Sequence, residues 1–166
     1  EKRKTRRIVN NKEYEEAVNL YMSNVYKVAL NACRNIADAE DIVQNTYEKL
    51  WKCNREFTDT EHIKKWLIRV TINECNSLFR THWMKRRTSE KELDKISFST
   101  PEKSDLYYAL GDLTQKEREI IHLYYYEDYK IGEIANVMNM SETAIQTRLY
   151  RARTKLKCIL KKEGWK

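Results

Sequence analysis

The chain has 166 residues, a formal net charge of +7, and only 3 Gly and 1 Pro. So few turn formers exclude a fold of many short strands, and the weight of Leu, Ala, Glu, Lys and Arg favours an all-α protein. The basic excess points to an anionic partner, and its distribution says more: residues 36–61 are acidic, whereas from 62 to 87 Lys64, Lys65, Arg69, Arg80, Lys85, Arg86 and Arg87 face only Glu74, and 145–162 contain no acid at all.

In chain order, residues 1–11 read as a basic tail, with Lys2, Arg3, Lys4, Arg6 and Arg7. From Lys12 to Asn35 the apolar positions Tyr14, Ala17, Val18, Tyr21, Val25, Val28, Ala29 and Ala32 recur at helical spacing. The pattern breaks at Ile36, and Asp38 is the expected N-cap of a second helix over 39–51. The core face expected there is Ile42, Val43, Tyr47, Leu50 and Trp51. A polar stretch from Cys53 to Glu61 precedes a third helix, expected to bury Ile63, Trp66, Leu67, Val70, Ile72, Leu78 and Phe79. Trp66 shares its spacing with Leu67 and Val70, which assigns it to the core rather than to base stacking. Three helices with aromatic faces make one small bundle over 12–87. Residues 88–105 read as a flexible linker, charged and small polar, with Pro101 and the hydrophobes Leu93, Ile96 and Phe98.

A second module spans 106–166. Thr114 and Glu117 have the spacing of a capping box at a helix start. Ile131, Ile134, Ala135 and Met138 form one apolar stripe on a short helix. Asn139 suits a left-handed helix end, and Ser141 can cap the next helix. That last helix is expected to bury Ile145, Leu149, Ala152 and Leu156, leaving Gln146, Thr147, Arg148, Tyr150, Arg151 and Arg153 on its other faces. A support helix, a tight turn and an acid-free second helix make a helix-turn-helix, whose Gln, Thr and Arg side chains can bond base edges or phosphates. The fold expected is all-α, two small helical domains joined by a flexible linker, the C-terminal one a helix-turn-helix.

Cys33, Cys53, Cys75 and Cys158 are widely spaced, and His62, His82 and His122 form no ligand pattern with them. Neither a metal site nor a disulfide framework is expected, and reduced thiols fit a cytoplasmic protein. No apolar run reaches membrane-spanning length, and no signal-peptide core follows the basic start. A phosphate-cradling Gly loop and any Ser/His/Asp or Cys/His arrangement are also missing, so no enzyme, cofactor or small-molecule substrate is expected.

The segments Leu113 to Glu119, Ile131 to Ala135 and Ile145 to Arg153 resemble region 4 of bacterial sigma factors. Ala39 to Tyr47, ending in Leu50-Trp51, resembles sigma region 2.2, and Trp66-Leu67 through Ile72-Asn73 to Arg80 resembles regions 2.3 and 2.4. With regions 1.1 and 3 not evident, the chain is similar to the extracytoplasmic-function class. The resemblance implies a protein that binds bacterial core RNA polymerase and promoter DNA and assists strand opening. It implies that Asp41, Gln44, Asn45 and Glu48 meet the clamp helices of the largest polymerase subunit, a role for which an acidic, amide-bearing face is independently suited. It places Asn73 at the −10 element, with Arg69, Arg80, Lys85, Arg86 and Arg87 on phosphates and the 53–61 loop near the flipped base. At the −35 element it places Gln146, Thr147, Tyr150 and Arg151 toward bases and Arg148 toward phosphate. Ser77 stands where many members carry Asp, and Gln146 where Lys or Arg is common, which leaves the promoter sequence open. An anti-sigma factor is the implied regulatory partner, with Ile96 and Phe98 as candidate contacts. The competing reading is a conventional helix-turn-helix regulator that binds duplex operator unaided.

Overall fold

The computed structural model describes residues 9–85, 101–162 and Gly164. The described residues form seven helices: α1 (Asn11–Cys33), α2 (Ile36–Trp51), α3 (Thr60–Lys85), α4 (Pro101–Gly111), α5 (Gln115–Tyr125), α6 (Ile131–Met138) and α7 (Glu142–Lys162).

Capping chemistry sets the helix boundaries. Asn10 and Glu13 exchange side-chain and backbone bonds at the start of α1, the Glu13 N–H giving to Asn10 Oδ1 at 2.9 Å and the Asn10 N–H to Glu13 Oε2 at 3.2 Å. The helix ends on Arg34, which takes the left-handed conformation (φ 54°) while its N–H bonds Leu30 O. Asn35 then caps α2 by accepting the Asp38 N–H at 2.8 Å. This corrects the expected Asp38 cap. The cap lies three residues earlier, and Asp38 sits in the first turn, where its charge suits the positive helix end. Asp59 accepts the His62 N–H at 2.8 Å at the start of α3, a bond that holds its carboxyl below the ordinary range. Pro101, placed by sequence in the linker, opens α4; the first helical turn tolerates a residue without an N–H. The Thr114–Glu117 capping box forms as expected.

Helices α1, α2 and α3 pack on one another, and α4 to α7 make a second group. Of the expected core residues, Ala17, Val25, Val28, Ala29, Ala32, Ile42, Tyr47, Leu50, Ile63, Leu67 and Ile72 are buried. Trp51 is not: it is 54% exposed, its ring edge against Tyr14 at 5.2 Å between centroids. Trp66 is half-buried against the apolar cluster of Tyr47, Leu50 and Leu67, edge-on to Phe57.

The two groups of helices touch. Val28, Ile68 and Ile72 share one apolar cluster with Ile120, Leu123, Ile134 and Ile145. Ile68, which the expected core did not include, is buried in this shared cluster one turn before Ile72.

Candidate nucleic-acid interface

The helix-turn-helix is built by α6 and α7. Asn139 adopts φ 53°, and the next N–H, of Met140, reaches back to Ala135 O at 2.9 Å, so the turn closes on an asparagine where glycine is more usual. Ser141 Oγ accepts the Ala144 N–H at 3.2 Å to start α7. Gly132 lets the two helix starts approach: a Cβ there would lie 3.1 Å from Glu142 Oε1. Ile145, Leu149 and Ala152 are buried, which turns Gln146, Thr147, Tyr150 and Arg151 outward on the opposite side of α7. Tyr150 is 72% exposed, and Arg148 is half-buried beside the outward set. Thr147 is exposed, and its Oγ1 donates to Thr143 O at 2.9 Å.

On α3, Asn73 and Arg80 are exposed and Arg69 is half-buried, all on one side of the helix at spacings of four and seven. Lys65, one turn before Arg69, extends the row and is a residue that sequence reasoning left in a general charge count. The helical period placed it there all along. Lys85 closes α3, but its side chain, like Arg86 and Arg87, lies outside the described residues, as do Ile96 and Phe98. At the head of α3, the 53–61 loop brings Arg55 beside His62, Trp66 and Arg69 around a basin of about 270 Å³. Its far wall comes from the second module: Tyr129, Glu133 and Asn136.

The α2 face is different. Asp41, Gln44, Asn45 and Glu48 are all exposed, brought together by spacings of three and four. Glu48 pairs with Lys52 one turn on, a contact that lowers its carboxyl. Beside Gln44 and Glu48, a groove of about 1000 Å³ opens between α1 and α2, floored by Val18, Met22, Tyr26, Val43 and Trp51. Trp51, misread as core, is therefore part of this face.

These features define a two-module helical protein with a helix-turn-helix and an exposed acidic face. Comparison with known proteins names the family. Residues 17–84 match the model of sigma-70 region 2, and residues 103–156 match that of sigma-70, region 4. The RNA polymerase sigma factor SigV of Bacillus subtilis is 27% identical over 86% of this chain and 88% of its own length. The extracytoplasmic-function sigma factor SigM of the same organism is 27% identical over 87% and 93%. Among solved structures, the sigma factor RpoE of Bartonella quintana, crystallised with the anti-sigma factor NepR, superposes with a TM-score of 0.72 at 22% identity, covering 90% of this chain and 98% of that one. The chain belongs to the sigma-70 family of RNA polymerase sigma factors, in its extracytoplasmic-function class. Its function is promoter recognition for RNA polymerase, and it performs no covalent chemistry of its own. The match over residues 17–84 displaces the reading as a conventional helix-turn-helix regulator, which has no need of that region. No helix among the described residues is long and apolar enough to cross a membrane.

Proposed function

We propose that this sigma factor works through three faces. The α2 face of Asp41, Gln44, Asn45 and Glu48, with the apolar groove next to it, docks on the clamp helices of the largest subunit of bacterial core polymerase. The observation that carries this is the joining of an exposed acidic row to an unfilled apolar groove on one side of the N-terminal module. Apolar area supplies the affinity and the acids supply orientation toward basic partner residues.

The α3 row reads the −10 element. Asn73 contacts a base, Arg69 and Arg80 neutralise phosphates, and Lys85, Arg86 and Arg87 continue the basic run in sequence. The exposed face of α7 enters the major groove at the −35 element, with Gln146, Thr147, Tyr150 and Arg151 toward bases and Arg148 toward a phosphate. An anti-sigma factor regulates access to these faces, a reading supported by the likeness to a sigma factor crystallised with one. The protein acts in the cytoplasm, where polymerase and promoters are.

Run-off transcription with bacterial core polymerase on a promoter library tests the scheme. Initiation dependent on the protein is expected, falling by roughly tenfold or more in Asp41→Ala/Gln44→Ala, the loss of about one to two polar contacts at a protein interface. Unchanged initiation by that variant would remove the α2 face from the docking surface. Because both positions are exposed, its melting temperature is expected to stay at the parent value.

A further inference from the structure

The chain carries four thiols, and the structure brings two of them together. Cys33 is the last residue of α1 and Cys75 lies well inside α3, yet both belong to one apolar cluster with Ala29, Ala32, Ala39 and Ile42. The three alanines are fully buried, and side chains this small let helices approach closely where they cross. The Cys75 thiol is hydrogen-bonded to the Cys33 sulfur. That bond, and then burial, hold the Cys75 thiol well above its ordinary range, so it stays protonated at rest. Cys53, in the loop after α2, and Cys158, exposed on α7, belong to none of the apolar clusters of the described residues.

The pair is asymmetric. Cys75 is fully buried, while Cys33 is half-buried at the end of α1, just before the left-handed turn at Arg34. One thiol is reachable from solvent and the other stands behind it, the arrangement of an attacking and a resolving cysteine. Small volume alone does not call for sulfur at both places, since alanine serves at the neighbouring positions of the same cluster. Neither polymerase docking nor promoter reading makes use of the pair.

We propose that Cys33 and Cys75 are a hydroperoxide-reactive dithiol, reduced at rest, that closes to a disulfide between α1 and α3. The Cys33 thiolate attacks the peroxide: a sulfur–oxygen bond forms, the O–O bond breaks, and the leaving oxygen takes up the thiol proton and departs as an alcohol, or as water from hydrogen peroxide. Cys33 is then a sulfenic acid. The Cys75 sulfur attacks the Cys33 sulfur, the sulfur–oxygen bond breaks, and hydroxide leaves with the Cys75 proton as water. Two thiols are oxidised to one disulfide and one hydroperoxide is reduced. The sulfurs close from hydrogen-bond contact to about 2.05 Å. Arg118 holds the carbonyls of Asn31 and Ala32, just before Cys33, so closure is transmitted to the seam between the two groups of helices. A bond made under peroxide and reversed by thiols is the kind that a reducing cytoplasm permits. This chemistry does not depend on which face meets polymerase or DNA.

The test treats the full chain with hydrogen peroxide at neutral pH, with dimedone present to trap sulfenic acids, and maps the thiols by mass spectrometry after non-reducing digestion. A linked Cys33–Cys75 peptide is expected, forming ahead of any adduct at Cys53 or Cys158 and lost on treatment with dithiothreitol. In Cys75→Ala the link is lost and the dimedone adduct on Cys33 rises by roughly tenfold or more, because no neighbouring thiol captures the sulfenic acid. In Cys33→Ala, at the half-buried position, Cys75 is expected to stay reduced, which keeps the test decisive if Cys75→Ala fails to fold. Passage of Cys33 to sulfinic acid with no linked peptide in the parent chain overturns the proposal, leaving the pair as packing alone. So does a disulfide that forms through Cys53 or Cys158 instead, or oxidation of Cys75 at the parent rate in Cys33→Ala.

Discussion

The α2 and α3 faces of the N-terminal module are equal in exposure by sequence and opposite in fate. Asp41, Gln44, Asn45 and Glu48 stand clear beside an open groove, while Lys65 and Arg69 are held by Glu133 and Asn136. Charge explains which face is covered. The start of α6 presents Glu133, which is attracted to the cationic row on α3 and would be repelled by the acids on α2. Exposure along α3 is therefore uneven: Lys65 and Arg69 carry partners from α6, whereas Asn73 and Arg80 are exposed.

The strongest way to break the comparison is to cut the seam between the two groups of helices. Arg118 is buried, and its guanidinium bonds Asn31 O, Ala32 O and Leu113 O. Burial, with the charge of Arg34 adding to it, lowers its pKa to about 10, so it stays charged at neutral pH. Arg118→Ala leaves three carbonyls without their donor and is expected to cost on the order of 4 kcal/mol in urea unfolding. Arg118→Lys recovers only part of this, because an ammonium cannot reproduce the planar fork. A loss under about 1 kcal/mol would show that water replaces the guanidinium without penalty.

Glu119 weakens the same seam in a pH-dependent way. It is 1% exposed, with Gln115 Nε2 on Oε1 at 2.7 Å and Oε2 unpartnered. Gln115 also reaches Asn76 on α3 at 3.1 Å; Arg118 and Lys116 draw the carboxyl down, and Cys75 of α3 feels its charge. Burial dominates and raises the pKa from 4.5 to about 7. The folded chain therefore holds a proton that the unfolded chain has already released. Stability falls as pH rises from 4.5 through 7, and the full cost, at most about 3 kcal/mol, is present by pH 8. Glu119→Gln is expected to raise the urea midpoint at pH 8 and leave it nearly unchanged at pH 4. A gain of equal size at both values would refute a buried, titrating carboxyl.

How much of this was legible beforehand follows from the range of each interaction. The capping box at Thr114, the left-handed Asn139 and the buried Ile145, Leu149 and Ala152 depend on neighbours within a turn or two, and periodicity exposes such relations. Asp38 was mistaken for a cap because Asn35, equally suited, sits three residues earlier and only the backbone geometry chooses between them. Trp51 was placed in the core beside Leu50, yet only Leu50 is buried there, and the Trp51 ring lies in the groove between α1 and α2. Ile68, Arg118, Glu119 and Glu127 could not be placed. A buried charge in sequence looks like any solvated one, and its partners here lie on other helices. The three outward faces of α2, α3 and α7 were readable as rows; that one row is covered by another module was not, because contacts such as Lys65–Glu133 span the two halves of the chain.

The smallest effect expected separates covered from open positions within the α3 row itself. Arg69 is tied to Asn136, whereas Arg80, three turns further along, is exposed. Each phosphate contact steepens the fall of log affinity with log salt by about 0.7 for single strands. In the free protein, Arg80→Ala is therefore expected to make that fall shallower by about 0.7, while Arg69→Ala leaves it almost unchanged, since Arg69 is held by Asn136. Salt titrations of fluorescence anisotropy with the free protein and a single-stranded DNA measure this directly. Equal slope changes in the free protein would mean that the Arg69–Asn136 bond opens too readily to compete with DNA, and the contrast between the two ends of α3 would then be one of geometry without consequence for binding.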